Sequence, residues 1–173
     1  MQINHLHLFL RAECQKSPGA GDEQKIYNDV TKLIHAIGMK VFMEPKVKYM
    51  PDLGNEGLTY IAGLETSHTS GHYWDKPDHT IMKYPGSTLL QADLYTCGCM
   101  DENEIKTILA YIAEYKPKLL NVAIFDRSRH DSFFEPIIKI NYNYKSKGNY
   151  LKFLNNLSID YTNRYKKKFL KVA

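Results

Sequence analysis

Hydrophobic residues alternate along the first legible segment, HLHLFL, with Leu6, Leu8 and Leu10 on one side and His5, His7 and Phe9 on the other. That period of two predicts a half-buried strand. SPGAGD interrupts the chain, and Ile26, Val30, Leu33, Ile34 and Ile37 then recur at helical spacing, with Gly38 in a stop position. KVFMEPKVKYM reads as a strand interrupted or edged by Pro45, PDLGNEG as a turn, and LTYIAGLETS as a further strand. STLLQADLYTC alternates clearly: Leu90, Ala92, Leu94 and Thr96 oppose Gln91, Asp93, Tyr95 and Cys97. Asp101 and Glu104 have capping-box spacing ahead of a helix carrying Ile105, Ile108, Leu109 and Ile112. LLNVAIF and IIKINYNY predict two more strands, and Tyr150, Leu154, Leu157 and Tyr161 give a weakly amphipathic C-terminal segment.

Helices with one apolar face among alternating strands imply an α+β fold, a two-layer sandwich of a mainly antiparallel sheet with helices on one face. The other sheet face is left for a partner or a site. At 173 residues the chain is expected to be a single domain over 1–173, with a basic C-terminal tail at about 147–173. The net charge of +4 sits in that tail, since Arg164, Lys166, Lys167, Lys168 and Lys171 leave the rest of the chain near −1. A basic tail on a near-neutral body argues against a nucleic-acid-binding domain. No apolar run approaches the roughly 18 residues of a membrane span, and no secretory leader pattern is read at the N-terminus. Three cysteines, Cys14, Cys97 and Cys99, form no disulfide framework. A cytoplasmic setting is the expectation.

The stretch ETSHTSGHYWD gathers Ser67, His68, His72 and the only tryptophan, Trp74. Three chemistries are open to it. His68 and His72 with Cys97 and Cys99 would be candidate metal ligands. In an extended strand, however, residues i and i+4 lie about 13 Å apart. The Cys-x-Cys spacing is also not that of common zinc sites. A hydrolytic serine is a second reading, but Ser67 lacks the G-x-S-x-G elbow. No metal site is therefore expected. The third reading is Ser-His-x-x-x-His near a strand end, followed by a second strand ending in Thr96-Cys97-Gly98.

With the element order around it, that combination resembles the prokaryotic S-adenosylmethionine decarboxylase family over roughly residues 3–128. The resemblance implies a pyruvoyl-dependent, self-processing decarboxylase of polyamine biosynthesis. In this family the serine hydroxyl attacks the preceding carbonyl, the chain breaks, and the serine remnant becomes an N-terminal pyruvoyl group. That ketone forms a Schiff base with the substrate amine and acts as an electron sink. Carried onto this chain, the resemblance implies cleavage between Thr66 and Ser67, with the pyruvoyl cofactor derived from Ser67. It also implies His72 as the processing base and Cys97 as the proton donor. His68, Trp74 and Asp75 are the corresponding substrate-binding candidates. The implied partners are a small-molecule substrate and a second copy of the chain in a homodimer, with neither nucleic acid nor membrane.

Two departures bear on substrate and processing. Thr66 stands where family members have glutamate, and Trp74-Asp75-Lys76 replaces aromatic-Pro-Glu. The connection between His72 and Cys97 also carries an insert, DKPDHTIMKYPG, of about ten residues beyond expectation. These features keep two alternatives open: a non-catalytic relative that binds a nucleoside or regulates a partner subunit, and a pyruvoyl decarboxylase of a basic amino acid.

Overall fold

In a computed structural model that describes residues 5–98, 100–128 and 134–159, the alternation of the first segment becomes β1, Leu6–Cys14. Its even-numbered side chains Leu6, Leu8, Leu10 and Ala12 are buried. β1 lies inside a seven-stranded sheet with β2 (Val41–Met50), β3 (Gly57–Leu64), β4 (Ser67–Trp74), β5 (Thr88–Thr96), β6 (Pro117–Asp126) and β7 (Ile138–Asn143). The strand order is β2-β3-β4-β5-β1-β6-β7, and every pair is antiparallel. Helix α1 (Glu23–Ala36) buries Ile26, Val30 and Ile34, and α2 (Glu102–Tyr111) buries Ile105, Ile108 and Leu109. These residues join one core with the inward side chains of the sheet. The α+β two-layer arrangement expected from the sequence is thus the one observed. None of the described helices is long and apolar enough to cross a membrane.

Short-range signals behave as their chemistry dictates. Asp101 accepts from the Glu104 amide at 2.9 Å, and Glu104 accepts in return from the Asp101 amide at 2.6 Å. This reciprocal cap satisfies two amides that the first helical turn leaves unpaired. Asp101→Ala should destabilise the protein by about 1 kcal/mol, read by urea unfolding; no change would mean the cap is energetically idle. Pro45 lies in β2, an edge strand, where the pairing with β3 slips between Met43 and Lys46. An edge tolerates the missing donor. Beyond the sheet, α3 (Tyr144–Lys147) and α4 (Tyr150–Asn155) close the described chain, and Tyr150 donates from its hydroxyl to the Leu109 carbonyl at 3.0 Å. The tail from residue 160 onward, with Tyr161 and the five basic residues, lies outside the described residues.

The largest difference from the sequence reading concerns residues 67–74. They form a complete strand between β3 and β5, where the sequence places only the end of the preceding strand. Gly71 serves packing: a Cβ there would stand 2.4 Å from the Tyr60 ring on the neighbouring strand. The insert, in turn, lies wholly outside the paired strands. It includes a 3₁₀ turn at His79–Ile81 and folds over one end of the sheet face opposite the helices. Glu13 points to that face yet is fully buried, because the insert covers it. Its carboxylate accepts from the Lys83 and Tyr84 amides at 2.9 and 2.8 Å and from Arg11 at 2.8 Å. Burial pushes this carboxyl upward, but the three donors outweigh it and hold the group below its usual value.

Candidate active site

The turn Glu65–Thr66 joins β3 to β4, with Leu64 and Ser67 as the pair that closes the hairpin. Ser67 follows the inward alternation of β4 and faces the helix layer. Its Oγ is buried and, among the described residues, has no hydrogen-bond partner. An unpaired buried hydroxyl is costly and therefore informative. The carbonyl just before it, that of Thr66, accepts from the Cys97 amide at 3.3 Å. Glu65 in the same turn donates its amide to the Lys40 carbonyl at 3.1 Å, tying the turn to the chain that enters β2. A cavity of about 240 Å³ adjoins this point, lined by Met39, Lys40, Glu65, Thr66, Thr96 and Gly98 among others. The Thr66–Ser67 peptide thus has a polarised carbonyl and an uncommitted hydroxyl in sequence.

Cys97 lies beside that peptide through its backbone, while its thiol is on the open sheet face. The Sγ is 3.7 Å from His5 Nδ1 and 3.8 Å from the Tyr95 hydroxyl, and these two groups are 2.6 Å apart. Burial, then the neighbouring thiol, raises the Tyr95 phenol, so it stays protonated at neutral pH. Cys14 is different: it is buried in β1, and burial pushes its thiol up to about 12. Cys99 lies outside the described residues.

His72, Trp74 and Asp75 gather at the other end of β4. The His72 ring packs on Trp74 with centroids 4.1 Å apart, its Nδ1 pairs with the Thr59 hydroxyl, and its Nε2 is buried without a partner. Burial lowers the His72 pKa against the opposing pull of the Asn55 backbone and Asp75, which favours the neutral imidazole. The Trp74 indole donates to Asn55 at 3.0 Å, and Asp75 accepts from the Tyr49 hydroxyl at 3.0 Å while its second oxygen is buried and unpaired. His72 and Ser67 are therefore not neighbours. Five residues of strand separate them by roughly 17 Å, and an odd offset places them on opposite faces. The extended strand thus holds Ser67 apart from the histidine that the family resemblance implies as its base.

Between the two ends lies a broad open-face concavity of about 880 Å³, lined by Phe9, Thr59, Ser70, His72, Gln91 and Asp93 among others. Its size suits a ligand of nucleoside dimensions. His68 is half-exposed on this face, with Nε2 3.5 Å from Asp93, and not on the Ser67 side. His5, His7, Thr59 and Ser70 belong to the same face but were not singled out from the sequence. The alternation placed His5 and His7 opposite the leucines; their meeting with Tyr95 and Asp93 depends on strand order, which no local pattern encodes.

A self-paired antiparallel sheet, backed by two helices and carrying serine, cysteine and histidine at strand ends, defines the class as a two-layer α+β domain with a polar open face. The S-adenosylmethionine decarboxylase family model matches residues 10–128, and the chain belongs to that family. Among curated proteins, none matches the chain. Members of the family use a pyruvoyl group, and the free, buried Ser67 hydroxyl behind a hydrogen-bonded carbonyl fits its formation here.

Proposed function

We propose that the protein is a self-processing, pyruvoyl-dependent decarboxylase that cleaves itself between Thr66 and Ser67 and acts on S-adenosylmethionine or a closely related amine. The observation that carries this reading is the pairing at one peptide bond of an unpartnered, buried Ser67 Oγ with a Thr66 carbonyl already accepting from the Cys97 amide. Attack of Oγ on that carbonyl puts negative charge on the oxygen the Cys97 amide faces, an electrostatic aid to the acyl shift. Loss of the serine α-proton then eliminates the Thr66 carboxylate as the new C-terminus and leaves dehydroalanine at residue 67, which water converts to the pyruvoyl group with release of ammonia. Once formed, the pyruvoyl group supplies an electron sink for loss of CO₂.

The remaining roles fall to the chain's own side chains. Cys97, whose amide holds the cleavage point and whose thiol donates to the Tyr95 hydroxyl at 3.8 Å on the open face, is the proton donor once cleavage frees residue 67 as a chain end that can turn to that face. Cys97→Ala should release CO₂ far more slowly or misplace the proton, and Cys14→Ala should leave turnover alone. His72, neutral and with Nε2 free, has the properties of a base. Because its own Ser67 is out of reach, the base comes from a second copy: His72 of one chain serves Ser67 of the other, in the homodimer. His68, Trp74 and Asp75 contribute to substrate binding, and the half-exposed open face is where a small amine is received.

Carboxyl-labelled S-adenosylmethionine offers the direct assay. Labelled CO₂ should be released by the wild type and not by Ser67→Ala. The two-copy arrangement has its own test, co-expression of Ser67→Ala with His72→Ala. Neither variant should cleave alone, yet in mixed dimers the His72→Ala chain should be cut. If mixed dimers stay intact while wild type cleaves, the base lies within one chain. If wild type neither cleaves nor releases CO₂, the enzyme reading fails.

A further inference from the structure

His7 and Asp93, to which the decarboxylase reading gives no task, meet His68 at the middle of the open face. His7 on β1 and His68 on β4 flank β5, and both register with Tyr95. Asp93 lies two residues back along β5 on the same face, so each histidine is its diagonal neighbour. Long side chains reach one another across that diagonal. Both imidazoles approach the same oxygen: His7 Nε2 is 2.8 Å and His68 Nε2 3.5 Å from Asp93 Oδ2. The three donor atoms all lie within 4.8 Å of one another.

We propose that His7, His68 and Asp93 form a binding site for one divalent transition-metal ion of the zinc type. Ligand atoms at about 2.0–2.2 Å from such an ion sit close enough together that small side-chain rotations complete this set. Two imidazoles and one carboxylate favour zinc, cobalt or ferrous ions over magnesium or calcium, which prefer all-oxygen shells. Three paired strands supply the ligands, so the sheet fixes their spacing before an ion arrives. Ser70 donates its hydroxyl to the other oxygen of Asp93, which holds the carboxylate with Oδ2 toward the histidines. The His7 ring is further held against Phe9, with centroids 4.1 Å apart.

His7 ligates through Nε2 as the neutral imidazole carrying its one proton on Nδ1, and any proton on Nε2 leaves as the ion binds. Three protein ligands leave at least one coordination position. That position opens where His68 is 46 % exposed and where Ser70 and Asp93 line the concavity. Water, or an oxygen or amine donor of a small molecule, would complete the shell there. The site stands apart from self-processing, because Ser67 faces the opposite side of the sheet.

The test uses the purified full chain, with Ser67→Ala in parallel so that the processing state does not matter. Zinc is titrated in competition with a chromophoric chelator, and cobalt is followed by its visible d–d absorption. One equivalent should bind, and affinity should fall at least tenfold in each of His7→Ala, His68→Ala and Asp93→Asn. His79→Ala and His35→Ala, exposed histidines elsewhere, should bind as wild type does. Should the more buried positions fail to fold, His68→Ala alone decides, since its side chain is half in solvent. Binding no tighter than millimolar would overturn the proposal. So would binding unchanged by His68→Ala, or lost equally on removing His79; the cluster would then be an ordinary hydrogen-bonded group.

Discussion

Freshly purified protein should resolve by intact-mass measurement into two associated fragments, residues 1–66 and 67–173, the second blocked at its N-terminus by a pyruvoyl group. The expectation rests on local electrostatics and on what each atom lacks. Ser67 Oγ has no hydrogen bond to give up when it attacks, and the Thr66 carbonyl already has a donor where charge develops. Proximity is intrinsic, since nucleophile and carbonyl belong to adjacent residues. Ser67→Ala should leave one unmodified chain. It should also melt within a few degrees of wild type, because the core is built from Leu6, Ile26, Ile34, Ile105 and Leu109 and not from this hydroxyl. Thr66 places a β-branched side chain at the scissile bond, so cleavage should proceed faster in Thr66→Glu than in wild type. A single unmodified mass after prolonged incubation would remove the self-processing step. Collapse of Ser67→Ala would show that the serine is structural.

The sequence made the elements legible where periodicity is strong. The leucines of β1, the isoleucine faces of both helices and the Asp101–Glu104 cap lie where their spacing puts them. β4 was harder, because Ser-His-Thr-Ser-Gly-His has neither β-propensity nor an apolar alternation of its own. It is a strand because β3 and β5 supply ladders on both sides and because Tyr60 packs over Gly71. Tertiary context overrides weak local preference. The chemistry-bearing residue types were legible through the family pattern, but their mutual placement was not. Parity along β4 sends Ser67 to the helix side and His68 and His72 to the open side, which follows only once those residues are known to be extended. The His7–His68–Asp93 cluster needs the order β4-β5-β1, information held in contacts far apart in the chain.

Loss of the Glu13 carboxylate should be among the most damaging single changes on the open face. Glu13 on β1 holds the 75–86 insert by accepting two charge-assisted hydrogen bonds, from the Lys83 and Tyr84 amides, and Arg11, itself paired with Glu13, adds a bond from its guanidinium to the Ile81 carbonyl at 2.9 Å. In Glu13→Ala the Lys83 and Tyr84 amides lose their acceptor and Arg11 its counter-charge, a loss of about 3–5 kcal/mol. Glu13→Gln keeps one acceptor oxygen and should cost less. The pH dependence has a defined sign. The folded carboxyl titrates below the ordinary 4.5, so its contribution is present in full above that value and disappears as pH falls through the depressed folded value. Urea unfolding from pH 6 downward should therefore show wild type losing stability more steeply than Glu13→Gln in the acid range. The insert should loosen first, since Met82 and Tyr84 are its main buried anchors and it belongs to no strand ladder. Tryptic cutting at Lys83 should accelerate in Glu13→Ala before global unfolding does. Equal acid slopes in the two proteins, or a Glu13→Ala that melts with wild type, would mean that the insert is held by its apolar contacts alone.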